Sequence, residues 1–131
     1  MSCMILGDSL AVGLGQIHQE CITTAKVGIT STVYIKKHPD NFVTDTAVIS
    51  LGSNDWATIP TEKNIRLLRS HILAKKVYWI IPNINDWVRV DVFKVATSFG
   101  DATIDARTVP RSPDGIHPTY KGYKIIASKI K

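Results

Sequence analysis

Residues 47–55 read Ala47-Val48-Ile49-Ser50-Leu51-Gly52-Ser53-Asn54-Asp55. Five almost wholly apolar positions run into a glycine and three small polar residues. A short run of this kind reads as a strand buried on both faces, which is what a parallel sheet covered by helices requires. Val77-Tyr78-Trp79-Ile80-Ile81 repeats the pattern and is followed by Pro82-Asn83-Ile84-Asn85-Asp86. Shorter runs from Cys3 to Leu6, Ile22 to Val27 and Ala102 to Ile104 supply three more strands.

Between the runs lie segments of helical periodicity. Helices are expected over Leu10 to Gln19, Thr32 to Lys37, Thr61 to Leu73, Trp87 to Ser98 and Pro118 to Lys131. In the third, Ile65, Leu68 and Ile72 recur at spacings of three and four, the apolar stripe of an amphipathic helix. Strand–helix alternation implies parallel pairing with helices on both faces, and right-handed crossovers leave few topologies. The expected architecture is α/β: a three-layer α/β/α sandwich around a five-stranded parallel sheet in the order 2-1-3-4-5.

Composition agrees with a globular chain. With 131 residues, 44% hydrophobic and 21% charged, it suffices for one domain spanning 1–131 and excludes disorder. The net charge of +5 is spread along the chain, and only Lys36-Lys37 and Lys75-Lys76 are paired, so no nucleic-acid footprint is expected. No stretch is long enough to span a bilayer, and no basic leader precedes the first strand. A cytoplasmic protein, or one exported by a non-Sec route, is the expectation. Cys3 and Cys21 both fall in apolar stretches and read as two small core residues with free thiols.

In open parallel sheets ligands bind beyond the carboxyl ends of the strands. The residues there are Gly7-Asp8-Ser9, Gly28-Ile29-Thr30, Gly52-Ser53-Asn54-Asp55, Asn83 with its neighbours and, in the last loop, Asp114-Gly115-Ile116-His117-Pro118. Taken alone, Ser9 is a helix N-cap, Asp114-Gly115 a turn, Asn54-Asp55 an Asx turn and Gly28 a backbone accommodation. Taken together they supply what acyl transfer needs. Ser9 is a nucleophile, and His117 is a base that Asp114, three residues earlier, can hold in one tautomer. The Gly28 N–H and the Asn54 amide are donors for a developing oxyanion. His18, His38 and His71 fall within or beside helices and read as packing or surface residues. Asp8, Asp55, Trp56 and Asn83 are further candidates for substrate contact, and Trp87 for an aromatic surface under a sugar ring.

These blocks resemble the SGNH hydrolases, also called the GDSL esterase/lipase family. Gly7-Asp8-Ser9-Leu10 matches the first block, Gly28 the second, Gly52-Ser53-Asn54-Asp55 the third (G-x-N-D) and Asp114-Gly115-Ile116-His117-Pro118 the last (D-x-x-H-P). They occur in family order and span residues 7 to 118. The resemblance implies a flavodoxin-like fold and ester hydrolysis by Ser9, Asp114 and His117, with no metal or cofactor. It also implies an oxyanion hole of the Ser9 N–H, the Gly28 N–H and the Asn54 side chain. The chain is shorter than most members, so an open, shallow site taking a short acyl ester of a carbohydrate or other alcohol is expected. Two alternatives from other classes are a flavodoxin-like binding module with a phosphate at the helix that follows Ser9, and a non-catalytic part of a larger assembly.

Overall fold

A computed structural model describes residues 2–131. Five strands form one sheet: β1 (Cys3–Gly7), β2 (Ile22–Ala25), β3 (Phe42–Ser50), β4 (Ile72–Ile81) and β5 (Ala102–Asp105). All pairs are parallel, and the order is β2-β1-β3-β4-β5. Five α-helices alternate with the strands: α1 (Ser9–Ile17), α2 (Ser31–Lys37), α3 (Thr61–Ser70), α4 (Asp86–Phe99) and α5 (Tyr120–Lys129). A single 3₁₀ turn, Ala106–Thr108, follows β5.

The period-two geometry of a strand divides the apolar runs between two cores. Ala47, Ile49, Val77, Trp79 and Ile81 point to one side, where they meet Tyr34 of α2, Ile65 and Leu68 of α3, and Val88, Val92 and Val95 of α4. Val48, Tyr78 and Ile80 point to the other, against Leu10, Ala11 and Leu14 of α1 and Ile126 of α5. Both faces of β3 and β4 are therefore apolar, which is why neither run alternates. Each fully buried Leu or Ile contributes roughly 1.5–3 kcal/mol relative to exposure, so the two cores dominate the stability. The Trp79 indole, itself fully buried, donates to Asp101 Oδ2 at 2.9 Å, and Arg69 grips the same carboxylate at 2.7 and 3.0 Å.

Several boundaries differ from the sequence reading. Helix α3 ends at Ser70, and Ile72 opens β4, paired with Phe42 rather than continuing the helical stripe. The spacing of three and four happens to persist into a strand that starts one residue after the helix cap. Strands β3 and β4 begin five residues before their solid apolar runs, and in these extensions Val43 and Leu73 are exposed. Helix α5 starts at Tyr120 behind a Thr119 cap, so Pro118 precedes the helix. Cys3 and Cys21 are joined in a disulfide 18 positions apart, not free thiols. Two lone apolar-flanked cysteines carry no framework pattern, and only the pairing of β1 with β2 brings them together. No helix among the described residues is long and apolar enough to cross a membrane.

Candidate active site

The carboxyl ends of β1, β3 and β4 and the loop before α5 converge at one rim of the sheet. Gly7 ends β1 with φ +136°, and a Cβ there would overlap the Ser50 carbonyl oxygen. Only glycine permits the close approach that lets the Asp8 N–H donate to that oxygen at 2.9 Å. The turn delivers Ser9 to the first position of α1, where the helix N-terminus lends positive potential to its hydroxyl.

The cap of α1 is Asp8, not Ser9. Asp8 is fully buried, and its carboxylate accepts from the Leu10 N–H at 3.1 Å, the Ser50 hydroxyl at 3.0 Å and the Ser53 hydroxyl at 2.5 Å. Burial raises its pKa above the usual carboxylate value, with the Ser53, Ser50 and Leu10 hydrogen bonds opposing that shift. Asp8 thus ties the first block to the third and presents nothing to a ligand, which corrects its reading as a substrate contact.

Ser9, His117 and Asp114 meet in line. The Ser9 Oγ lies 2.8 Å from His117 Nε2, and His117 Nδ1 lies 2.6 Å from Asp114 Oδ2. The other oxygen of Asp114 accepts from the backbone N–H groups of Ile116 at 2.9 Å and His117 at 3.0 Å, so the carboxylate also closes its own turn. The hydrogen bond from the His117 side chain, followed by those two backbone donors, lowers the Asp114 pKa to about 2. An ionised carboxylate on Nδ1 leaves Nε2 to accept a proton from a hydroxyl.

Gly28 stands in the β2–α2 loop with φ +80°, and a side chain starting there would meet nothing within 4 Å, so the backbone is open to approach. Asn54 donates one amide hydrogen to Ile29 O at 3.0 Å, which binds the third block to the Gly28 loop and fixes the amide plane. Its second N–H is not used in that bond.

Asp55, a further candidate contact, is also buried. It accepts from the Ser31 N–H at 2.8 Å, the Ser31 hydroxyl at 2.6 Å and the Thr61 hydroxyl at 2.7 Å, welding the N-termini of α2 and α3 to the third block. Its role is architectural. Asn83 is half-buried and turned toward the last loop: its amide donates to Gly115 O, and its oxygen accepts from Arg107 Nε at 2.8 Å. Arg107 in turn reaches Asp86 Oδ1 at 3.3 Å. Trp56 is 61% exposed beside the third block, whereas Trp87 packs against the core. The other three histidines each close a helix: His18 caps α1, His38 α2 and His71 α3.

Sequence reasoning missed Ser50, Ser53 and Arg107. Serines at the end of an apolar strand and a lone basic residue after β5 carry no pattern of their own, although Ser53 belongs to the third block, Gly52-Ser53-Asn54-Asp55. A groove of about 950 Å³ along α4 and β5 is lined by Ile81, Arg89, Val90 and Phe93 among others and includes none of Ser9, Gly28, Asn54, Asp114 or His117.

No protein-family model matches the chain, and no curated protein matches it. Solved structures do. A lipolytic protein of the G-D-S-L family from Veillonella parvula superposes with a TM-score of 0.63 at 16% identity, over 98% of this chain and 95% of that one. The catalytic domain of a peptidoglycan O-acetyltransferase from Streptococcus pneumoniae gives 0.63 at 16% identity, over 97% and 88% of the two chains. A carbohydrate acetylesterase from Sinorhizobium meliloti gives 0.60 at 14% identity, over 98% of each. With the sheet order and the two helix layers, these likenesses give the chain the fold of the SGNH hydrolases.

Proposed function

We propose that the protein is a serine esterase that cleaves short-acyl carboxylic esters through an acyl-enzyme. The observation that carries this reading is the unbroken line from Asp114 through His117 to the Ser9 hydroxyl, with 2.6 and 2.8 Å contacts. His117 Nε2 takes the Ser9 proton as Oγ attacks the ester carbonyl, and the imidazolium formed is stabilised by Asp114. The negative oxygen of the tetrahedral intermediate is received by the Ser9 N–H at the start of α1, the Gly28 N–H and the second N–H of Asn54. Each such donor lowers the barrier by about 3 kcal/mol. His117 then returns its proton to the departing alcohol. Water, deprotonated by the same imidazole, then attacks the acyl-enzyme to give a second tetrahedral intermediate, which expels the acid as His117 returns the proton to Ser9 Oγ.

The acyl group is short, acetyl by preference, and the alcohol is a carbohydrate. The His117 side chain is 40% exposed and that of Asp114 47%, so the reacting groups sit at an open surface without a deep apolar channel for a fatty chain. Exposed Trp56 beside Asn54 offers a flat aromatic face of the kind sugar rings stack on. Two of the structural neighbours, the carbohydrate acetylesterase and the peptidoglycan O-acetyltransferase, handle acetyl groups on glycans by name, and this supports the same substrate class here. The second also supports a variant in which an alcohol of the acceptor glycan, rather than water, resolves the acyl-enzyme.

The test is hydrolysis of p-nitrophenyl acetate by the wild type and by Ser9→Ala, followed by a chain-length series to octanoate. Turnover lost in Ser9→Ala and declining with acyl length is expected. Equal turnover in both proteins overturns the esterase reading, and a preference for octanoate overturns the short-acyl part.

A further inference from the structure

A second cluster of chemically competent side chains lies at the amino-terminal ends of β1 and β2, the opposite end of β1 from Ser9. Cys3 is the first residue of β1, and Cys21 immediately precedes β2. At about 3.3 Å per strand residue, Cys3 stands some 13 Å from the Gly7 end of its strand. The segment between α1 and β2 ends at one half of the disulfide, Cys21. The His18 N–H closes α1 on Leu14 O at 2.9 Å, and the Cys21 N–H donates to His18 O at 3.1 Å, which makes residues 18–21 a tight turn. That turn sets His18 Nδ1 3.9 Å from Cys21 Sγ and in contact with the Glu20 carboxylate. The His18, Glu20 and Cys21 donor atoms all lie within 4.8 Å of one another, and the Cys3 sulfur is bonded to that of Cys21.

None of these four residues takes part in the proposed chemistry. Two sulfurs, an imidazole nitrogen and a carboxylate are nonetheless a donor set suited to a borderline-soft divalent ion. Tetrahedral zinc, with bonds of about 2.0–2.3 Å, separates its donors by roughly 3.3–3.8 Å. The His18-to-Cys21 separation of 3.9 Å lies just above this range, and the hydrogen-bonded turn holds the two donors together. Only the two sulfurs, now bonded, have to part.

We propose that reduction of the Cys3–Cys21 disulfide converts this cluster into a Zn²⁺ site, with Cys3 Sγ, Cys21 Sγ, His18 Nδ1 and the Glu20 carboxylate as ligands. A dithiol reductant supplies two electrons: the Sγ–Sγ bond breaks, the reductant leaves as its own cyclic disulfide, and two thiols form. As the metal binds, both thiols lose their protons to solvent and two Zn–S bonds form. Neutral His18 contributes its Nδ1 lone pair and ionised Glu20 one oxygen. One crosslink between the starts of β1 and β2 is thereby exchanged for another, so the N-terminal strand stays pinned in either redox state.

The test uses the full chain, reduced anaerobically with a water-soluble phosphine, and titrates Co²⁺ as a spectroscopic probe before displacing it with Zn²⁺. One equivalent of Co²⁺ should bind with a thiolate-to-metal charge-transfer band and the visible absorption of a tetrahedral ion. The oxidised protein should show neither. Loss of an outer-shell partner already weakens metal binding about 10–100-fold, so His18→Ala, which keeps both sulfurs, should weaken Zn²⁺ by no less than about tenfold. If reduction loosens the fold, stoichiometric Zn²⁺ should restore its circular dichroism. Absence of the thiolate band in the reduced wild type, unchanged affinity in His18→Ala, or failure of Zn²⁺ to restore a loosened fold would each overturn the proposal.

Discussion

The Ser9 hydroxyl and His117 Nε2 stand 2.8 Å apart although 108 positions separate them in the chain. Two independent pieces of architecture produce that contact. One is the tight exit from β1, where Gly7 crosses the Ser50 carbonyl and buried Asp8 caps α1. The other is the turn before α5, in which Asp114 accepts from two backbone N–H groups while holding the imidazole. Each piece can be perturbed without touching the other.

Asp114→Asn should leave Ser9 and His117 in place but remove the charge that fixes and stabilises the imidazole. General-base catalysis is worth about 10²–10⁴ in rate, and a fall in kcat/KM within that range on p-nitrophenyl acetate is expected, with KM little changed. The pH profile provides a second check. Because the folded-state pKa of Asp114 is depressed from 3.8 to about 2, what its carboxylate contributes is present above the unfolded value and lost only as pH falls through about 2. Asp114 should therefore add no inflection to log kcat/KM above about pH 4; an inflection there that disappears in Asp114→Asn would contradict this.

Asn83 ties the last loop to Arg107. Its amide holds Gly115 O, and Arg107 holds its oxygen. Asn83→Ala should lower kcat by about tenfold, as expected for a small displacement of the base, while KM and the melting temperature stay near wild type. Arg107→Gln should show the same split more weakly. A melting temperature that falls in step with kcat would mean that Asn83 acts only on the fold.

Asp8 tests the buried side of the rim. Asp8→Ala strands the Leu10 N–H and two serine hydroxyls, and unsatisfied buried donors cost about 1–3 kcal/mol each. Even with the hydroxyls turning to other partners, a loss of about 2 kcal/mol is expected in denaturant unfolding. Asp8→Asn addresses pH. The Asp8 pKa is raised from 3.8 by burial, so the folded chain binds the extra proton. Stability then falls as pH rises from the unfolded value through the folded one, and the full cost of the buried charge is present above it. Asp8→Asn should flatten this part of the pH–stability curve, and an unchanged slope would contradict the assignment.

The disulfide closes a loop of 18 positions, and a crosslink of that length typically stabilises by about 3 kcal/mol. Cys3→Ala/Cys21→Ala should lose an amount of that order in urea unfolding without a change in p-nitrophenyl acetate turnover, because the pair sits at the far ends of β1 and β2.

Much of this architecture was legible because buried parallel strands announce themselves. Residues 47–51 and 77–81 are apolar on both faces, and the order of β-runs and helical segments admits few topologies. The blocks around Ser9, Gly28, Asn54 and His117 stood out because each follows a strand or lies in the last loop. Less was legible where tertiary context overrides local pattern. The burial of Asp8 and Asp55 depends on hydroxyls from other elements, Ser50 at the end of β3, Ser53 just after it and Thr61 at the start of α3, which no spacing encodes. The Cys3–Cys21 pairing follows from the adjacency of β1 and β2, and the true start of β4 at Ile72 was masked by an apolar spacing shared with α3.

The most direct measurement is covalent trapping. Incubated with a p-nitrophenyl alkylphosphonate, the wild type should release one equivalent of p-nitrophenol, and mass spectrometry of its peptides should place the phosphonyl group on Ser9. His117→Ala should react at least about 10²-fold more slowly, and Ser9→Ala not at all. No adduct, or an adduct on another residue that persists in Ser9→Ala, would contradict the nucleophile assignment on which the account rests.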